Sequence, residues 1–136
     1  MNELKINKSE LKLVSGETAN ISYNETDDIL EIVFNGNKPA TGIELTDNIL
    51  LRVDRKTGQA ASLTILHFSI LAERTEFGPR SYALDNLDDL TEELRAVVLR
   101  IISTPPVNQF LKLSHFQESP TKRVPFTYVE PYQFAS

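Results

Sequence analysis

The sequence predicts an α+β fold in which an antiparallel β-meander of about five strands carries one amphipathic helix on a face and ends in an extended, proline-rich C-terminal arm. Three observations favour this class. Short apolar runs separated by turn residues fill residues 19–68, a helical apolar spacing occupies residues 85–103, and five of the seven prolines lie in residues 104–136. Because 136 residues is close to the size of one average domain, we expect a single domain over residues 1–136.

The β-meander is expected to contain five strands, each with Val, Ile, Leu or Phe in at least partial alternation. The expected strands cover residues 19–23, 28–34, 41–46, 49–54 and 60–67. Asp47 and Asn48 suit a two-residue hairpin turn, and residues 54–58 suit a turn that is served by Asp54 and closed by a left-handed glycine, Gly58. The alternation predicts one apolar face, formed by Leu30, Ile32, Leu51, Val53, Leu63 and Ile65.

The helix is predicted from apolar residues at spacings of three and four, namely Leu87, Leu90, Leu94, Val97, Val98 and Ile101. Asp85 or Asn86 is expected to cap its first turn, and the Thr104-Pro105-Pro106 sequence is expected to end it. A helix of about 17 residues is roughly 25 Å long, enough to cover a small sheet. We therefore expect Leu90, Leu94, Val97 and Ile101 to join the core.

The C-terminal residues 104–136 are expected to be extended rather than helical, because prolines recur there and glycine is absent. Residues 109–116 could form a strand. Beyond them, Pro120, Pro125 and Pro131 interrupt an apolar, aromatic sequence that is too broken for a central strand. We interpret this segment as an arm that packs on its own domain or wraps a second copy of the chain.

Acidic residues are concentrated in one part of the chain. The whole sequence has 14 basic and 19 acidic residues, a net charge of −5. Residues 17–47 hold seven acids and one base, and therefore carry −6. Because basic side chains are scattered, nucleic acid is not an expected ligand, and a basic protein or a cation suits the acidic segment better.

Several classes of chemistry lack the residues they need. There is no cysteine and there are only two histidines, His67 and His115, which are expected to be hydrogen-bonded residues at strand ends. No nucleophile elbow presents Ser69 or Ser114, and the isolated glycines form no phosphate-binding loop. No apolar run is long enough for a membrane span or a signal peptide, so we expect a cytoplasmic protein with no membrane partner. Because the residues that bind cofactors are missing as well, we expect no cofactor.

The densest group of carboxylates comprises Glu25, Asp27, Asp28 and Glu31. Two carboxylates can act as an acid and base pair or hold a hard cation. Because these residues lie at a predicted turn and no calcium-loop pattern follows, we expect them to serve the turn, with no catalytic residue and no metal ligand among them. Asp28 in particular is expected to accept amide protons at the turn or at a strand end.

Residues 21–32, read with residues 42–58, resemble the small bacterial family known as domain of unknown function 2283. The matching positions are Tyr23, Asp28, Leu30, Ile32, Asp54 and Gly58. Asn24 replaces the usual Asp and Glu31 the usual Tyr, while Ser62 and Thr64 replace a Gly and a Glu, so the chain is a divergent relative over residues 20–68. The resemblance implies a small β-meander with no established activity, sometimes regarded as the antitoxin-like companion of a small toxin.

The function expected from these observations is that of a non-enzymatic protein–protein interaction module, antitoxin-like, with a basic protein or a second copy of the chain as partner. Two alternatives stay open: a small carboxylate-based enzyme or metal-binding protein, and a purely structural homodimer. The candidate partner-binding residues are Glu25, Asp27, Asp28, Glu31, Phe126, Tyr128 and Tyr132.

Overall fold

The computed structural model describes residues 6–13, 16–34 and 39–131. Its main feature is a six-stranded antiparallel sheet with the order β1-β2-β3-β6-β5-β4. The strands are Ile6–Lys12 (β1), Thr18–Asn24 (β2), Ile29–Val33 (β3), Thr41–Thr46 (β4), Ile49–Asp54 (β5) and Gln59–Leu66 (β6). All five predicted strands are present within about two residues of their expected ends, and β1 adds a sixth that was not predicted.

The strand order is not that of a continuous meander. Strand β3 pairs with β6 rather than with β4, which joins two three-stranded meanders, β1 to β3 and β4 to β6, along their inner edges. This pairing sets Leu30 against Ile65 and Ile32 against Leu63, so four fully buried side chains lie at the centre of the sheet. Alternation along a strand fixes which face is apolar but leaves the neighbouring strand open, because any register that keeps the face buried satisfies it.

One face of the sheet is buried and the other is open to solvent. The six residues predicted for the apolar face (Leu30, Ile32, Leu51, Val53, Leu63 and Ile65) all have no exposed surface. Alternate residues such as Glu31, Glu44 and Arg52 project from the opposite face and are exposed. Among the residues that the structure describes, the sheet is therefore covered on one side only.

The covering layer consists of short elements that follow β6 along the chain. They are helix α1 (Phe68–Leu71), the short strands β7 (Arg74–Thr75), β8 (Gly78–Pro79) and β9 (Tyr82–Ala83), a 3₁₀ helix (Asp85–Asp89), helix α2 (Glu92–Ile102), a second 3₁₀ helix (Val107–Gln109), and strands β10 (Leu111–Ser119) and β11 (Lys122–Val129). Leu87, Val98, Ile102 and Leu111 from this layer join the sheet residues in one apolar cluster.

Helix α2 begins later than the sequence predicts. Leu90 is extended, and the N-cap of the helix is Thr91, whose hydroxyl accepts the backbone N–H of Leu94 at 3.2 Å. The predicted caps, Asp85 and Asn86, lie instead in the preceding 3₁₀ helix. Apolar spacing continues through both elements because each places its leucines toward the core, so spacing alone did not reveal the break.

The side chain of Arg95 explains why the two helices do not merge. It donates hydrogen bonds to the carbonyl oxygens of Leu87 (2.9 Å), Asp88 (3.3 Å) and Leu90 (3.3 Å). In a continuous α-helix the carbonyl of Leu87 would accept the N–H of Thr91 instead. The guanidinium group thus satisfies the carbonyl groups that the break exposes.

The four core residues predicted on the helix are on the correct side but are not equally buried. Ile101 is 5% exposed, whereas Leu90, Leu94 and Val97 are half-buried and pack against the core. The fully buried residues of α2 are Val98 and Ile102. The helix is therefore rotated slightly from the orientation that the apolar spacing predicted.

The predicted C-terminal arm is a β-hairpin in the structure. Strands β10 and β11 pair from Leu111 opposite Val129 to Ser119 opposite Lys122, and β11 is the central strand of a three-stranded sheet with the order β10-β11-β9. Pro120 lies in the turn and Pro131 follows the sheet. The prolines thus occupy positions that antiparallel pairing tolerates, and they did not prevent β11 from being central.

Pro125 lies within β11 opposite His115, at a position where an N–H group is not needed. Its carbonyl accepts the N–H of Leu84 at 3.1 Å, so its backbone polar groups face β9 and not β10. Pro125 and His115 therefore form a pair that has no backbone hydrogen bonds between β10 and β11, as every second pair in an antiparallel ladder does.

Within the described residues, no helix is long and apolar enough to cross a membrane.

Candidate functional site

The acidic turn between β2 and β3 is held by local hydrogen bonds. The side-chain amide of Asn7 in β1 donates a hydrogen bond to the Glu25 carboxylate at 2.9 Å. The Asn24 side chain accepts the N–H of Asp27 and donates to the Asp27 carboxylate, both at 3.1 Å. Such bonds are typical of Asx turns. Glu25 and Asp27 themselves are exposed.

Asp28 is different, because it connects this turn to helix α1. Its carboxylate accepts hydrogen bonds from the Tyr23 hydroxyl (2.6 Å), the Ser69 backbone N–H (3.0 Å) and the Ser69 hydroxyl (2.7 Å). Its carbonyl accepts the N–H of Phe68 at 3.0 Å. Asp28 accepts an amide proton as expected, but the donor belongs to helix α1, 41 residues away, and not to the turn or a strand end.

The electrostatics of this cluster follow from its hydrogen bonds. Partial burial tends to raise the pKa of Asp28, but the hydrogen bonds from Tyr23 and Ser69 outweigh it and lower that pKa. Burial, followed by the hydrogen bond to Asp28, raises the pKa of Tyr23 to about 12. At neutral pH, Asp28 is therefore ionised and Tyr23 is protonated, which strengthens the bond between them.

The backbone at this cluster takes an uncommon conformation twice. Asp28 has φ of 58° and His67 has φ of 55°, both in the left-handed region. His67 precedes α1 and is exposed. Ser69 donates its hydroxyl to Asp28, not to a histidine, so the geometry does not form a Ser/His nucleophile. The contact between Ser69 and Asp28 was missed from the sequence because no local spacing signals it.

Glu31 does not join the other three carboxylates. It projects from the open face of the sheet, between Ser22 of β2 and Thr64 of β6. No group of three His, Asp or Glu side chains in the described part of the chain is arranged to hold a metal ion. The four carboxylates are therefore spread over a turn, a turn-to-helix contact and a sheet face, and they do not converge on one point.

Other acidic residues gather near the acidic turn through the sheet topology. Ile29 begins β3 opposite Leu66 at the end of β6, and the Leu66 N–H donates to the carbonyl of Asn48 at 2.8 Å. The β2–β3 turn and the β4–β5 turn, which contains Asp47, thus share one end of the sheet. On the open face nearby, Glu31 and Glu44 lie in the same cross-strand row.

We call the exposed residues Glu25, Asp27, Asp47, Glu31 and Glu44 the acidic end of the sheet. They come from two turns (Glu25 and Asp27, and Asp47) and two strands (Glu31 and Glu44), and only the pairing of β3 with β6 brings them to one region. Glu44 and Asp47 were not among the predicted binding residues. Their only signal in the sequence was membership of the segment that carries −6.

The aromatic candidates lie on the C-terminal hairpin. Phe126 and Tyr128 alternate on one face of β11, and Phe116 of β10 lies on the same face opposite Val124. Phe126, Tyr128 and Val124 are half-buried, whereas Phe116 is 61% exposed. Tyr132, the third aromatic candidate, lies outside the described residues.

A groove of about 320 Å³ between the β5–β6 turn and α2 is shaped by Gly58, Gln59, Arg100 and Ile101 among others. The Arg100 guanidinium donates to the carbonyl of Gly58 at 2.8 Å. Asp54 closes the turn below by accepting the N–H of Lys56 at 2.9 Å. Gly58 has φ of 69°, which confirms the predicted left-handed glycine. These residues hold the turn against the helix.

Comparison with known proteins supports the family resemblance. Residues 20–69 match the family described as "Protein of unknown function (DUF2283)", a partial match that covers less than half of the 136 residues. No curated protein and no solved structure matches the chain. The matched segment runs from β2 to the start of α1, and its motif residues Tyr23, Asp28, Asp54 and Gly58 all hold turns in the structure.

Proposed function

We propose that the protein is a non-enzymatic protein–protein interaction module whose partner carries a basic surface, in the manner of an antitoxin and its small toxin. The observation that carries this proposal is the acidic end of the sheet, where Glu25, Asp27, Asp47, Glu31 and Glu44 are exposed together. A surface of one charge sign attracts a partner of the opposite sign and raises the rate of encounter.

The state of Asp28 supports binding over catalysis. A general base needs a free oxygen near its substrate, whereas both oxygens of Asp28 already accept hydrogen bonds within the fold. Its lowered pKa makes it a weaker base still. Asp28 therefore shapes the acidic end, and the exposed acids around it are the groups that meet a partner.

The test compares three immobilised baits in a lysate of the source cells at low salt. They are the wild type, a variant with Asp27→Lys and Asp47→Lys, and a control with Glu76→Lys and Glu93→Lys, which makes the same charge change at exposed positions outside the acidic end. Asp28 is kept in all three because it holds the turn.

We expect the wild type and the control to retain the same basic protein and the acidic-end variant to lose it. With that protein purified, raising the salt concentration should slow association more than it speeds dissociation. Equal retention by the acidic-end variant, or a wild type that retains no protein, would contradict the proposal.

A further inference from the structure

Within the part of the chain that the structure describes, the C-terminal hairpin has one long strand edge without a neighbour. Strand β10, Leu111–Ser119, pairs on one side with β11, and no described strand lies on its other side. Residues 115–118 are exposed. An open edge of this length presents unpaired backbone N–H and C=O groups and is a template for another strand.

The position of Pro125 shows which backbone groups face outward. Because Pro125 directs its carbonyl to Leu84, the opposite residue, His115, belongs to a pair without hydrogen bonds to β11. The N–H and C=O of His115 therefore point to the open edge. Alternation along the strand places those of Leu113 and Gln117 there as well.

We propose that two copies of the chain pair through β10, antiparallel and about a two-fold axis at His115. The two three-stranded sheets then become one continuous six-stranded sheet. In this register Leu113 lies opposite Gln117 of the second copy, and Ser114 lies opposite Phe116 of the second copy. Every outward backbone group from Leu113 to Gln117 meets a complementary group, which closes the interface as a symmetric dimer.

The charges on β10 select this register. Lys112 lies three residues before His115, and Glu118 lies three residues after it, at a β-bulge between Gln117 and Ser119, so each lysine comes close to the glutamate of the second copy. Moving the axis to Ser114 would place Lys112 opposite Phe116, and moving it to Phe116 would place Lys112 opposite Pro120. Within one chain Glu118 contacts Lys122 at 3.2 Å, but both side chains are more than half exposed, so this pair competes weakly.

Phe116 gives the pairing an apolar contribution. It is 61% exposed in the single chain. In the proposed dimer it lies diagonally across from Phe116 of the second copy, a spacing that aromatic side chains bridge. Val124, Phe126 and Tyr128 continue the same face behind it. A second copy therefore covers an exposed aromatic residue that the single chain leaves in water.

This dimer is independent of the basic partner proposed above, because the acidic end and β10 share no residue. The test measures the dimer dissociation constant by sedimentation equilibrium. Lys112→Glu and Glu118→Lys each convert both cross-strand pairs into like charges, and we expect each to weaken the dimer by about tenfold or more. The double variant restores opposite charges and should return the constant to within about threefold of the wild type.

Two further variants separate edge pairing from loss of folding. His115→Pro removes an N–H that faces the open edge, and the extended backbone of β10 accommodates the ring, so it should give a monomer with the circular dichroism spectrum of the wild type. Lys56→Glu makes the same charge change as Lys112→Glu on a distant exposed turn and should leave the constant unchanged. A wild type that is monomeric at all concentrations would overturn the proposal, as would a double variant no tighter than either single variant.

Discussion

The segment from β2 to α1 and the C-terminal hairpin use their conspicuous side chains in opposite ways. In the first, Asp28, Asp54 and Gly58 match the family pattern in the sequence, and each one holds a turn. In the second, Phe116 makes no comparable contribution to the fold and is 61% exposed. A side chain that stabilises the fold makes contacts within the chain, whereas a side chain available for binding is exposed. The contacts of a residue therefore separate the two roles better than its residue type.

The largest expected effect contrasts the two regions directly. Leu63 has no exposed surface and lies on β6 at the centre of the large sheet. Leu63→Ala should lower the free energy of unfolding by about 2 to 5 kcal/mol, because it leaves a cavity in the core. Phe116→Ser should change the stability of the monomer by less than about 0.5 kcal/mol. Urea denaturation at low protein concentration measures both, and similar losses would remove the contrast.

Asp28 provides the second test. Asp28→Asn should cost about 1 to 3 kcal/mol, because the ionised acceptor of three hydrogen bonds is lost while asparagine still accepts the left-handed backbone. The matched control, Asp27→Asn, alters an exposed carboxylate in the same turn and should cost little. If the two variants unfold at the same denaturant midpoint, Asp28 is not the residue that connects the turn to α1.

The same residue predicts an acid dependence. The pKa of Asp28 is lower in the folded protein than in the unfolded chain, so the unfolded state binds more protons in acid. Its stabilisation is complete above the unfolded value of about 4 and is lost as the pH falls through the folded value. The stability difference between wild type and Asp28→Asn should therefore shrink in acid, which denaturation at a series of pH values measures.

Gly58 tests whether the β5–β6 turn, near the other end of the matched segment, depends on its glycine. Gly58→Ala should destabilise by about 1 to 2 kcal/mol, because alanine disfavours the left-handed backbone. The added Cβ would also lie 2.6 Å from the Arg100 guanidinium, which must then move. Gly42→Ala is the control, since its Cβ would meet Leu50 at an ordinary 3.6 Å. Equal midpoints for the two variants would show that the turn does not need its glycine.

The smallest expected effect concerns the start of α2. Thr91→Ala removes the hydroxyl that accepts the N–H of Leu94 and should cost about 1 kcal/mol. Asp85→Ala, at the position that the sequence favoured as the cap, should be close to neutral. The reverse ranking in thermal denaturation would place the functional helix start at residue 85 and contradict the break at Leu90.

The local features of this protein were determined by its sequence alone. The five predicted strands, the buried face of Leu30, Ile32 and Leu63, and the left-handed Gly58 all depend on alternation and turn preference within a few residues. The family resemblance over residues 20–69 has the same local basis. Charge counting indicated the acidic segment correctly but not which of its carboxylates lie together.

Long-range pairing decided the rest. The choice of β6 as the neighbour of β3, the contact of Ser69 with Asp28 and the pairing of β11 with β9 each join residues far apart in the chain, where alternation and spacing carry no information. The prolines of the C-terminal segment predicted an extended arm. A proline destabilises a strand only where its missing N–H would face a neighbouring strand, and the sequence does not show which way that position points. Only the tertiary structure sets that direction, and among the described strands it pairs β11 on both sides and β10 on one side.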